Sequence, residues 1–182
     1  MIGNDIIDLS LAKTQSNWQR SGFLEKQFTK HEIEAIQKAE NSFLLVWRFW
    51  SMKEAVYKVV VQQQKKRFFA PKKFECKIRS ETKGFVRFED QTFETTTQTT
   101  HKYIYTSVGK ATAQHIGPKA DEQEILKLIE RNTGIPSIQL EIKKTAVGVP
   151  ELLIAGKQRN YRLTKSHHGA YEAFEIINLN NS

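Results

Sequence analysis

Cysteine is nearly absent from this chain of 182 residues, with Cys76 standing alone. One thiol excludes an internal disulfide and a cysteine-rich zinc site. A reducing, cytoplasmic setting is the expectation that follows. No apolar run reaches about 18 residues, so no transmembrane helix is expected. The opening residues Met1-Ile2-Gly3-Asn4-Asp5 carry neither a basic stretch nor a long apolar core, so no signal peptide is expected there. Internal repeats and familiar nucleic-acid-binding motifs are also missing. Acidic residues are in deficit: 20 Asp and Glu stand against 28 Lys and Arg, a formal net charge of +8. That balance favours a polyanionic partner: nucleic acid, a phosphorylated small molecule, anionic membrane or an acidic protein. Hydrophobic content of 39% and charged content of 26% suit a soluble globular chain.

A helix is expected from near Ser42 to about Lys66, a stretch with no Gly or Pro to break it. Phe49, Met52, Val56, Val59 and Val60 recur at the spacing of a core-facing stripe. At about 100° per residue, Trp47, Ser51, Glu54 and Lys58 fall together on the other side. One face reads as structural and the other as chemically loaded. Glu54 and Lys58 are either an exposed pair, worth roughly 0.2–0.5 kcal/mol, or a carboxylate and an ammonium acting together on a third group.

Before that helix, residues 2–9 read as a short apolar strand holding Asp5 and Asp8. A buried unpaired carboxylate is costly, so each aspartate either caps the next helix or binds a ligand. Residues 10–28 suggest one or two short helices. Thr29 and Glu32 have capping-box spacing ahead of a helix to about 40. After Ala70-Pro71, residues 72–108 alternate as three or four antiparallel strands. Asp121 caps a helix ending near Gly134, with Glu124 completing the box. Ile138, Leu140 and Ile142 alternate as a strand. A hairpin is expected to pair 151–154 with 161–163 around Ala155-Gly156-Lys157-Gln158. Ser166-His167-His168-Gly169 reads as a loop, and 171–177 as a last strand. The order predicts an α+β fold in one domain, residues 1–182, with a β-rich insertion at about 68–120.

Gly3-Asn4-Asp5-Ile6, then Trp50-Ser51-Met52-Lys53-Glu54-Ala55-Val56-Tyr57-Lys58, then Gly148-Val149-Pro150 and Ser166-His167 follow one another along the chain. In this combination and order the sequence resembles the 4′-phosphopantetheinyl transferase superfamily, in its holo-acyl-carrier-protein synthase branch. The resemblance implies a central helix packed on antiparallel sheet. It implies transfer of the phosphopantetheine arm of coenzyme A to a serine of an acidic apo carrier protein, with release of adenosine 3′,5′-bisphosphate. It also implies Mg²⁺ held by Asp5 and Glu54, with Asp8 as a third carboxylate reached through water. A hard divalent ion suits a pyrophosphate and takes one or two carboxylates plus phosphate oxygens. Lys58 matches the family lysine that binds the pyrophosphate or manages the serine proton. Glu54 or a metal-bound water is the competing base. Lys53, Ser166 and His167 are the further coenzyme contacts it implies, with His168 an ambiguity of one position.

Three departures stand out. Val149 occupies a place where the family often has a basic residue, and Lys72, Lys73 or Lys165 is the expected substitute. Asn4 replaces an apolar residue. A short turn stands where small synthases carry a helix between the C-terminal strands. Arg20, Lys26 and the basic cluster at 65–73 are expected to dock the carrier or the coenzyme. Small relatives form trimers, so a homo-oligomer is expected. The rival readings are a basic nucleic-acid-binding module, with Phe68-Phe69 beside the cluster, and a family-shaped protein without transfer activity. His31, His101 and His115 read as surface or structural residues.

Overall fold

A computed structural model describes residues 1–179. Its elements in order are β1 (Gly3–Asp8), α1 (Leu9–Gln15), α2 (Phe23–Gln27), α3 (Lys30–Lys38), α4 (Ser42–Gln64), β2 (Phe74–Ile78), β3 (Lys83–Phe88), β4 (Gln91–Thr99), β5 (Tyr103–Val108), β6 (Ala113–Pro118), α5 (Glu122–Thr133), β7 (Leu140–Lys144), β8 (Pro150–Ile154), β9 (Lys157–Gln158), β10 (Tyr161–His168) and β11 (Tyr171–Asn178). The fold is α+β. Three sheets have strand orders β1-β5-β4-β3-β2, β10-β11-β6 and β7-β8-β9, and every ladder is antiparallel. Segment 68–120, expected as a β-rich insertion, supplies four of the five strands of the sheet that β1 edges.

Helix α4 is the centre. The Asn41 side chain caps it by accepting the Leu44 N–H at 3.0 Å, and it ends where Lys65 turns left-handed, φ 56°. No residue from Ser42 to Gln63 is exposed. On the face read as chemically loaded, Trp47 and Ser51 are as buried as Met52 and Val56 on the other, while Glu54 and Lys58 are partly buried. A helix surrounded by protein needs no single apolar stripe. The five-stranded sheet gives Val86, Phe88 and Ile104 to the core around it, and the flanking helical region gives Ala12, Phe28 and Ile36. A second core lies where α5 (Ile125, Leu126, Ile129) meets Leu163, Phe174 and Ile176 of the second sheet and Leu140 and Leu152 of the third.

Two contacts place β1. A Cβ at Gly3 would lie 2.2 Å from the Ala55 carbonyl oxygen of α4. Only glycine lets the strand come that close. Side chains two apart share a face of a strand, so Asp5 is delivered toward the same helix. On its other edge β1 meets β10. Asn4 N–H donates to Thr164 Oγ1 at 3.2 Å, and Asp8 N–H donates to His168 Nδ1 at 2.9 Å. Side chains at alternate positions of β10 thus cap backbone groups of β1 and join the two halves.

The C-terminal hairpin differs from expectation. Ala155 (φ 49°) and Gly156 (φ 72°) form a two-residue turn, so β8 folds onto the short β9, and β10 pairs with β11 instead. Ser166-His167-His168 is strand, not loop. The chain turns only at Gly169 (φ 55°), where a Cβ would lie 2.2 Å from Asp8 Oδ2. Ile138 falls in a 3-10 turn and is exposed rather than in a strand.

Lys53, buried in α4, donates to Glu32 Oε2 at 2.9 Å, to the Pro71 carbonyl at 3.0 Å and to the Phe74 carbonyl. Glu32 Oε1 accepts the Cys76 N–H at 2.7 Å. This pair ties α3, α4 and the start of β2 together. Lys53→Met is expected to cost about 3–5 kcal/mol in urea denaturation, because it strands a buried carboxylate. The double variant Lys53→Met/Glu32→Gln should recover part of that loss; a single variant as stable as wild type would contradict this role.

Candidate functional site

Asp5, on β1, and Glu54 and Lys58, one helical turn apart on α4, come together although they are distant in sequence. Lys58 Nζ donates to the Asn4 carbonyl at 2.6 Å and to Asp5 Oδ1 at 3.5 Å. Its ion pair is with Asp5, not with its helical neighbour Glu54. Asp5 Oδ2 is buried and has no hydrogen-bond partner. Burial pushes the Asp5 carboxyl up to about 7; Lys58 opposes the rise and the nearby Glu54 charge adds to it. Burial also raises Glu54, against the pull of Lys58.

A carboxyl missed in the sequence completes the cluster. Glu175, on β11, is buried and accepts a hydrogen bond from the Tyr105 hydroxyl. Burial raises it to about 7 against the Tyr105 bond and the Lys58 charge. Its sequence signal was an acid in the middle of the apolar run Tyr171–Ile177. Three carboxyls thus surround one lysine in a low-dielectric setting, an arrangement short of positive charge.

Glu54 and Lys58 line a cavity of about 330 Å³ with Tyr57, Val61 and Gln62 of α4, Arg67, the loop Val147–Pro150, and Thr164 and Lys165 of β10. A second hollow, about 210 Å³, adjoins it across Glu54 and Tyr57, walled by Lys53, Phe68–Pro71 and Phe74. Two larger hollows, about 820 and 810 Å³, lie against α5 and between α3 and β2–β3, and neither is lined by Glu54 or Lys58.

The other candidates are placed differently. Asp8 caps α1, with Oδ1 accepting from Ser10 and Leu11 N–H and Oδ2 from Ala170 N–H. Burial would raise it, but these backbone donors hold it below the ordinary carboxylate value. It lies an odd number of residues from Asp5 along the strand, on the opposite face. Among the described residues no group of three His, Cys, Asp or Glu is placed to hold a metal. Asp8 thus lies apart from Asp5 and Glu54, its carboxylate spent on backbone N–H groups. Lys53 gives its three protons to Glu32, Pro71 and Phe74. Ser166 is buried with no partner for its hydroxyl, and His167 is exposed on the other face of β10. The neighbours Thr164 and Lys165 are the β10 residues that reach the cavity. His168 is used in the β1 seam. Among the described residues no helix is long and apolar enough to cross a membrane.

The model of one protein family, described as the 4′-phosphopantetheinyl transferase superfamily, matches residues 1–117. A solved structure of Thermotoga maritima holo-[acyl-carrier-protein] synthase is similar at 12% identity and a TM-score of 0.44, covering 85% of this chain and 82% of that one. No curated protein matches the sequence. The family assignment rests on the first of these matches.

In the unfolded chain Asp5 and Glu175 lose their protons near 3.8 and 4.5; in the fold they keep them until about 7. Between those values the folded state binds more protons than the unfolded one, so metal-free stability is expected to fall as pH rises from about 4 through about 7. Urea denaturation of the metal-free protein at pH 5 and pH 8 should show the loss, and Asp5→Asn or Glu175→Gln should each shrink it. Variants with the same pH dependence as wild type would refute the assignment.

Proposed function

Because this chain belongs to the 4′-phosphopantetheinyl transferase superfamily, we propose that it transfers the phosphopantetheine arm of coenzyme A to a serine of an apo acyl or peptidyl carrier protein, releasing adenosine 3′,5′-bisphosphate. The observation that carries the reading is the buried, unpartnered Asp5 Oδ2 near Glu54 and Lys58, which both line the cavity. Two hard carboxylates that raise each other's cost of ionisation fit a divalent cation, and Mg²⁺ takes one or two carboxylates with the rest of its shell from phosphate and water. When bound, Mg²⁺ supplies charge stabilisation for the phosphate and the leaving group.

The protein's own residues do the rest. Lys58, fixed by Asn4 O and Asp5, keeps a third N–H to offer a phosphate oxygen, worth most as negative charge grows on the leaving group. Glu54 walls both hollows, so it stands where a serine hydroxyl and a pyrophosphate meet. A carboxylate at that point is placed to accept the serine proton transiently. The serine oxygen forms a bond to the phosphorus carrying the pantetheine arm. The pyrophosphate bond breaks, and adenosine 3′,5′-bisphosphate leaves with the electron pair.

The carrier side of the site is basic and apolar together. Phe69 is 77% exposed at the rim of the smaller hollow. Lys65, Lys66, Lys72 and Lys73 flank it in sequence, and α2, which carries Lys26, packs on the turn at Pro71–Lys73. An acidic carrier surface is steered to such a rim by opposite charge. A cytoplasmic setting and a homo-oligomer such as a trimer belong to the same proposal.

Mass spectrometry of apo carriers from fatty-acid, polyketide and peptide synthesis, incubated with the protein, coenzyme A and Mg²⁺, tests the reaction. One carrier should gain the mass of a phosphopantetheine, and Glu54→Ala should abolish the gain; no gain with any of the three would count against transfer. Charge reversal at Lys65 and Lys66 should raise the carrier KM several-fold at similar kcat. Unchanged KM for both substrates would remove the basic rim from the docking surface.

A further inference from the structure

Arg67 stands three residues past the end of α4, and the structure gives it a place that its position in a basic cluster did not suggest. The loop after β7 closes on itself: Thr145 N–H donates to Val149 O at 2.9 Å, Gly148 N–H donates to Thr145 O at 2.8 Å, and Val149 N–H donates to Thr145 Oγ1 at 3.1 Å. Val147 O is left for the Arg67 Nε–H, which donates to it at 2.5 Å. The guanidinium packs against Gly148, where φ is +75° and a Cβ would sit 2.1 Å from Nη2. The turn favours glycine at 148 through its positive φ, and a side chain there would displace the guanidinium.

Braced in this way, Arg67 lines the cavity with Lys58 and Lys165. Lys58 is paired with Asp5, and Lys165 with Glu172 at 2.8 Å. Among the described residues no carboxylate is within ion-pairing distance of Arg67. Lys72 and Lys73, expected to substitute for a basic residue at Val149, do not reach the cavity, and Lys73 sits 3.9 Å from Glu89. A planar, permanently charged fork with one N–H fixed by a carbonyl is pre-organised to grip phosphate oxygens with the others.

We infer that Arg67, braced on Val147 and Gly148, is the phosphate-gripping cation of this cavity, brought from the end of α4 to serve where Val149 offers no charge. The inference rests on the coenzyme A reading above and names one contact within it. The ligand chemistry is a phosphate of a nucleotide coenzyme, either the pyrophosphate or the 3′-phosphate.

Calorimetric titration of coenzyme A and of 3′-dephospho-coenzyme A, both with Mg²⁺, into wild type, Arg67→Ala, Arg67→Lys and Gly148→Ala tests it. Arg67→Ala should weaken coenzyme A binding roughly ten- to a hundredfold, the range for a charged hydrogen bond, with the melting temperature unchanged. Arg67→Lys should restore only part, because a lysine cannot hold Val147 O and a phosphate in one plane. Gly148→Ala should weaken binding in the wild-type background and add little to Arg67→Ala. A loss shared by both ligands places Arg67 on the pyrophosphate; a loss confined to coenzyme A places it on the 3′-phosphate. Equal affinity of wild type and Arg67→Ala for coenzyme A overturns the inference alone, whereas a wild type that binds no coenzyme A overturns the parent reading and this one with it.

Discussion

The backbone of β1 touches the backbone of α4 at Gly3, with the Ala55 carbonyl where any other residue would carry its Cβ. Everything chemical in this protein depends on that approach. It sets the strand close enough for Asp5, two residues on, to meet Lys58 and sense Glu54. It also lets Lys58 reach the Asn4 carbonyl. A larger residue at position 3 would push the strand outward and separate the two carboxylates before altering anything at the surface. The Gly-x-Asp pattern is therefore one device: the glycine makes the distance and the aspartate uses it.

The second half of the chain completes the site from behind. β10 lends side chains to β1 where a further strand would have lent backbone: Thr164 to Asn4 and His168 to Asp8. This seam brings Glu175 of β11 to Tyr105 of β5 and within reach of the Lys58 charge, and it brings Lys165 and the Val147–Pro150 loop to the cavity wall. Along the line where β1 meets β10 and β11, the buried acids Asp5 and Glu175 stand beside a small apolar cluster of Ile6, Tyr105 and Ala173. Burial of acids along that line is costly unless a positive charge arrives, and the cavity beside it is where such a charge, carried with a polyphosphate, has room.

Much of the fold was legible in residue pattern. Both capping boxes, Thr29 with Glu32 and Asp121 with Glu124, form as their spacing requires. The stretch without Gly or Pro from 42 to 64 is the central helix, and the alternating tract after Pro71 is four strands. Local rules failed where a tertiary partner decides. Ser166-His167-His168 looks like loop because it is polar, yet its inward positions face the edge of β1. Periodicity set the helix face with Trp47 and Ser51 apart as the chemically loaded one, but it cannot show that the helix is enclosed. Lys53 and Asp8 had motif-like positions, but each is saturated by partners distant in sequence, Lys53 by Glu32 and two carbonyls and Asp8 by backbone N–H groups that include Ala170. Glu175 and Arg67 carried almost no local signal beyond an acid in an apolar strand and a cation in a basic run.

The central claim is that Asp5 and Glu54 share one divalent ion in company with a coenzyme phosphate. Electron paramagnetic resonance of Mn²⁺ titrated against the protein, with and without coenzyme A, measures this directly. The account predicts one bound Mn²⁺ per chain, held more tightly when coenzyme A is present, and lost in both Asp5→Asn and Glu54→Gln. Mn²⁺ bound equally by wild type and by both variants, or not bound even with coenzyme A, would contradict it.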